Sequence, residues 1–142
     1  MSNLIKPSVN IYVLNGTKLL LSKRVNTGWM DGFFCAPGGH AEKGETPTIA
    51  MQREIKEELG VDVLREDLEF LCVAARKSTS EYVAYEFIIR DKKYNFNNAE
   101  LNKCSELIWA DINNLPDNLI NDFRQIIERS VIGNEKYLEL GY

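Results

Sequence analysis

The sequence predicts an α/β fold built on a mixed β-sheet. Three observations predict it: a hairpin of short aliphatic strands near the start, one helix bounded by its own capping residues, and further β-type runs after that helix. Residues 9–14 and 18–23 are aliphatic and β-branched, and Asn15-Gly16 between them is a hairpin turn signal. Residues 26–32 are polar and glycine-containing, which predicts a loop. The triplet Phe33-Phe34-Cys35 then predicts a short strand and Pro37-Gly38-Gly39 a sharp turn.

Thr46 can cap the free amides of a helix, Pro47 suits its first position, and Gly60 suits its end. Between them Met51, Ile55 and Leu59 recur every four residues, the stripe of a helix lying on a sheet. Runs at 68–75, 82–89 and 107–110 predict three more strands, with a polar insertion at 91–103. Leu119, Ile120, Phe123, Ile126 and Ile127 predict a last helix over 117–130. The tail 133–142 fits no single pattern. Neither a repeat nor a linker divides the chain, so residues 1–142 are expected to form one domain.

A chain of 142 residues buries roughly two-thirds of its unfolded surface, enough for a core without staples. Net charge is −4 with no dense Lys/Arg run, which argues against a polymeric nucleic acid as partner. Cys35, Cys72 and Cys104 are widely spaced and odd in number, as reduced core thiols would be. A single histidine, His40, and no cysteine cluster leave no ordinary zinc set. No signal peptide or apolar stretch of membrane-spanning length is seen, so no membrane partner and a cytoplasmic location are expected.

The chemistry is concentrated in the central helix. Glu54, Glu57 and Glu58 stand at i, i+3 and i+4 and share one face. Each close like-charge pair costs ~0.2–0.5 kcal/mol. Glu57 and Glu58 also lie in the last turn, where the negative end of the helix dipole costs each acid ~0.3–1 kcal/mol. Stability alone would favour Lys or Arg there. Hard divalent cations among the carboxylates would account for the clustering, since Mg²⁺ takes oxygen ligands and bridges to phosphates.

Gly39, Glu45, Arg53, Glu54, Ile55, Glu57, Glu58, Gly60 and Val61 fill every specified place of the pattern G-x5-E-x7-R-E-U-x-E-E-x-G-U, with U bulky and aliphatic. Chance would produce such a match in ~10⁻⁸ of chains this long, given ordinary residue usage. The segment 39–61 therefore resembles the Nudix box, and the flanking order of elements is similar to the Nudix fold, an α/β/α sandwich around a mixed sheet.

The resemblance implies a Mg²⁺-dependent hydrolase, with Mn²⁺ able to substitute, that uses water to cleave the diphosphate of a nucleoside diphosphate linked to another group. It makes Glu54, Glu57 and Glu58 metal ligands, with a backbone carbonyl of Gly38 or Gly39 beside them. Arg53 orients the carboxylates and Glu45 pairs with it, a role that is structural as readily as direct. Glu54 is the first choice of general base. Glu100 and Glu106 are candidates for a further ligand or base, and His40 reads as loop structure.

For the substrate, the array found in NADH diphosphatases is missing. Arg76 stands where ADP-ribose hydrolases carry a proline, and Lys77-Ser78-Thr79 where dinucleoside polyphosphate hydrolases carry a tyrosine. The run Lys103 to Trp109 and Asn114-Leu115-Pro116 is similar to the MutT-like nucleoside triphosphate branch. The expected substrate is thus a small-molecule nucleotide, a nucleoside triphosphate, modified or not, cleaved to monophosphate and pyrophosphate. An ADP-ribose or nucleotide-sugar diphosphatase is the alternative, and a non-catalytic ligand sensor the second. Trp29, Phe33, Phe34 and Tyr82 could stack on a base, and Asp117 and Asn118 are placed at the opening of the last helix, either capping it or reading the base. The chain could act as a monomer or a homodimer.

Overall fold

The computed structural model describes residues 4–90 and 93–142. Asp91 and Lys92, which open the expected polar insertion, lie outside the described residues. The strands are β1 (Lys6–Asn15), β2 (Lys18–Arg24), β3 (Phe34–Cys35), β4 (Gly38–His40), β5 (Glu69–Lys77), β6 (Glu81–Ile89), β7 (Cys104–Asp111) and β8 (Tyr137–Leu140). They form one sheet in the order β3-β2-β1-β6-β5-β8, with β4 added to β1 and β7 to β2. β1 runs parallel to β6 and β5 parallel to β8, while the other pairs are antiparallel, so the sheet is mixed.

Helix α1 (Pro47–Leu59) begins where Thr46 Oγ1 accepts the Ile49 amide at 3.2 Å and ends at Gly60, whose φ of 74° is left-handed. Its buried residues Ala50, Met51, Ile55 and Leu59 pack on Val9, Ile11 and Val13 of β1 and on Phe87 and Ile89 of β6. The opposite face of the sheet is covered by α2 (Asn121–Ile126) and its π-helical continuation (Ile127–Ile132). There Phe123, Ile126 and Ile127 pack on Tyr12, Ala74, Ala84, Ile88 and Leu138. A helix on each face of a mixed sheet is the expected α/β/α sandwich. Successive strand side chains point to opposite faces, so Ser8 and Asn10 lie on the α2 side with Tyr12 and not under α1.

Three local expectations are corrected. The last helix starts at Asn121, not near Asp117, because residues 117–118 form a turn and Leu119 then bridges to Phe34 of β3. The Phe34 amide donates to Asn118 O (2.8 Å) and the Ile120 amide to Phe34 O (3.0 Å), bonds that a helix would consume internally. Gly38 and Gly39 form no sharp turn: they belong to β4, paired with Asn10 and Val9. The undecided tail contains β8, which extends the sheet beside β5.

Candidate functional site

The β1–β4 pairing and α1 together build the site. A Cβ on Gly38 would overlap the Val9 carbonyl and the Asn10 side chain, and a Cβ on Gly39 would overlap the Glu54 carboxylate. Close approach of neighbouring atoms, backbone and side chain at Gly38 and side chain at Gly39, rather than a special φ, is what makes both positions glycine. The contact presses Glu54 and Glu58 against the Gly38-Gly39 backbone at the wall of a cavity of about 530 Å³, the size of a small-molecule site.

Arg53 is the organiser of the acids. Its Nε and Nη2 grip both oxygens of Glu45 (2.7 and 2.9 Å), Nη1 donates to Glu54 Oε1 (2.9 Å) and to Glu57 (3.3 Å), and Nη2 also donates to His40 O (3.0 Å). The planar fork of arginine allows this simultaneous grip. Glu45 is lowered to about 2, first by these hydrogen bonds and then by the Glu42 amide.

Glu58 behaves in the opposite way. Its Oε2 is enclosed and has no hydrogen-bond partner among the described residues. Burial, a hydrogen bond with Glu54, and the nearby charges of Glu54 and Glu100 push its carboxyl well above the usual range. Glu100 is raised as well, by burial and then by Glu54 and Glu57. Loop residues put it there: the Asn97 amide donates to Leu59 O and the Ala99 amide to Glu58 O, both at 3.0 Å, and so dock the loop on the end of α1.

The candidate residues separate by position. Glu54, Glu58, Gly38, Gly39, Glu100, Trp29 and Tyr82 all line the cavity. Glu57 does not: drawn toward Arg53, it lies half-exposed on a shallow outer groove. Among the described residues, no three His, Cys, Asp or Glu side chains converge on a common point. Glu106 is exposed and reaches Lys23 at 3.7 Å. Phe33 lies outside the cavity wall and Phe34 is buried in the core beneath it. Asp117 is exposed and caps nothing, and Asn118 Nδ2 donates to Gly32 O (3.0 Å). His40 ends β4 with its ring stacked 5.8 Å from Tyr82.

Sequence reasoning missed the polar floor. Ser8, Asn10, Arg76 and Asp122 line the cavity, and Arg76 Nε donates to Asp122 Oδ2 at 2.9 Å beside Phe123. Beneath Asn10 lies Glu86, fully buried. The available signal was polar residues interrupting aliphatic strands at period two. Arg24, Lys77 and Lys103 add positive charge around the mouth, and the Arg24 guanidinium sits 4.9 Å from the Trp29 ring centre. Of the cysteines, Cys35 and Cys72 are buried and Cys104 is only partly so; all three are free thiols. Among the described residues no helix is long and apolar enough to cross a membrane.

Comparison with known proteins agrees with this fold. The uncharacterized Nudix hydrolase YvcI of Bacillus subtilis (strain 168) is 29% identical over 110 residues, covering 75% of this chain and 66% of that protein. An 8-oxo-dGTP diphosphatase of Proteus vulgaris is 42% identical over 45 residues, 32% of this chain and 40% of that one. The chain thus spans two thirds or less of the curated relatives it matches. The crystal structure of a MutT NUDIX hydrolase from Burkholderia pseudomallei superposes with a TM-score of 0.80 at 24% identity, covering 89% of this chain and 98% of that one. The family model of the NUDIX domain matches residues 4–130, and with that span the chain belongs to the Nudix family.

Proposed function

We propose that residues 1–142 act as one Nudix unit that hydrolyses a nucleoside triphosphate to the monophosphate and pyrophosphate with the help of Mg²⁺ or Mn²⁺. The observation that carries this reading is the Glu58 carboxylate, enclosed with an unpartnered Oε2 beside Glu54 and the Gly38-Gly39 backbone at the cavity wall. Two acids and a peptide carbonyl form a hard-oxygen donor set that fits Mg²⁺ or Mn²⁺. Glu54 and Glu58, with the Gly38 or Gly39 carbonyl, would hold the cation, and Glu57 would join them by turning away from Arg53 and the outer groove. When bound, the cation would neutralise charge on the bridging phosphate oxygens and make water a stronger acid.

The chain's own residues supply the rest. Arg53 fixes the Glu54 carboxylate through Oε1, so that Glu54 is poised as the base that takes the proton of the attacking water. Arg24, Lys77 and Lys103 offer positive charge to the phosphates, and Trp29 at the rim offers a ring for the base. The 8-oxo-dGTP diphosphatase among the relatives supports a triphosphate substrate. Purified protein is to be assayed with Mg²⁺ against nucleoside and deoxynucleoside triphosphates, ADP-ribose, nucleotide sugars and dinucleoside polyphosphates. Triphosphates are expected to give the highest kcat/KM; a clear preference for ADP-ribose would replace this reading with the diphosphatase alternative.

A further inference from the structure

The floor of the cavity contains an amide whose orientation is set from below. Asn10 and Glu86 are register partners on parallel β1 and β6, and both are buried. Asn10 Nδ2 donates to Glu86 Oε2 and the Tyr12 hydroxyl donates to Glu86 Oε1, each at 2.8 Å. Two donors aimed at one carboxylate suit its ionised form, which accepts only. With Nδ2 committed to Glu86, Asn10 cannot flip, and Oδ1 is left beside Gly38 at the cavity. Asn10 Oδ1 makes no hydrogen bond among the described residues. Two residues away on the same face, Ser8 lines the cavity with a buried Oγ that also has no partner there. Buried polar atoms are ordinarily satisfied, so the enclosed, unpartnered Ser8 Oγ, next to an Asn10 Oδ1 on the same cavity wall, points to a ligand that engages this face.

We propose that Asn10, locked by Glu86, is a specificity-determining residue that accepts a hydrogen bond from the exocyclic amino group of the nucleobase, so that amino-bearing bases are preferred to their oxo counterparts. Cytosine and uracil, or adenine and hypoxanthine, match closely in size and shape and differ at this edge. An amino group meets Oδ1 as a donor. An oxo group sets two acceptors face to face and leaves both buried without a partner, the situation in which polar pockets discriminate most strongly. Glu86 is here a positioning residue. The inference rests on the triphosphate reading above and deepens it.

Matched pairs separate the two. The kcat/KM values for CTP against UTP and for ATP against ITP are to be measured in the wild-type protein, in Glu86→Gln and in Asn10→Ala. In at least one pair the wild type should favour the amino member by ~10-fold or more, with the difference carried in KM. In Glu86→Gln the new amide can donate to Asn10 Oδ1, which frees Asn10 to turn its NH₂ toward the cavity. The preference should fall to within about threefold of unity or reverse, and circular dichroism should show the fold retained. Asn10→Ala should abolish the preference as well, so the result does not depend on one variant. Turnover of both members with equal kcat/KM in the wild type, or an undiminished preference in both variants, would overturn the inference and leave the triphosphate reading standing. Turnover of none of the four would remove that reading and this inference together.

Discussion

At the scale of single residues, Arg53 and Glu58 show two fates for charge in one site. Arg53 satisfies Glu45 fully, and Glu45 accordingly titrates at about 2 rather than the usual 4.5. A carboxyl lowered in the folded state contributes stability above its unfolded value of 4.5 and loses that contribution as pH falls toward about 2. Glu45→Gln should therefore flatten the fall of stability with acid across that window, read from urea titrations at a series of pH values; the same acid slope in both proteins would refute the pairing. Both Arg53 and Glu45 were legible in the sequence, because their spacing matches a known pattern. Asn10 and Glu86 were not, since they stand in strands 76 residues apart in sequence, and only the pairing of β1 with β6 shows that they meet.

Among the elements, α1 was the most legible because its caps, stripe and acids are all local in sequence. The start of α2 was misplaced because Leu119 and Ile120 keep helical spacing while their backbone pairs with Phe34, a partner remote in the chain. β8 escaped for a related reason: its apolar residues Leu138 and Leu140 make sense only once β5 is beside them. The glycine pair of β4 was read as a turn because sequence shows a need for glycine but not its cause. Since that cause is the Glu54 carboxylate packed against Gly39, Gly39→Ala should displace Glu54 while leaving α1 intact. We expect kcat to fall by ~10-fold or more with the circular dichroism spectrum unchanged. Wild-type turnover in this variant would mean that the close contact has no catalytic role.

For the whole molecule, cation binding and folding should be linked. A ligand held only by the folded chain at a hundredfold excess over its Kd adds ~2.7 kcal/mol, roughly 5–10 °C in Tm for a protein of this size. Titration with Mn²⁺ or Mg²⁺ should raise Tm by that order, and Glu58→Gln should lose both the rise and most of the turnover. A rise of equal size in this variant would place the cation elsewhere. One strand ties the two halves of this design together. β1 bonds to β2, β4 and β6, and its odd-numbered Val9, Ile11 and Val13 hold α1 while Ser8 and Asn10 line the cavity. Parity along a few residues thus divides what can vary from what cannot. A library randomised at positions 8 and 10 should yield altered ligand preferences among well-folded clones, whereas diversity at 9, 11 and 13 should mostly be lost before any preference can be selected.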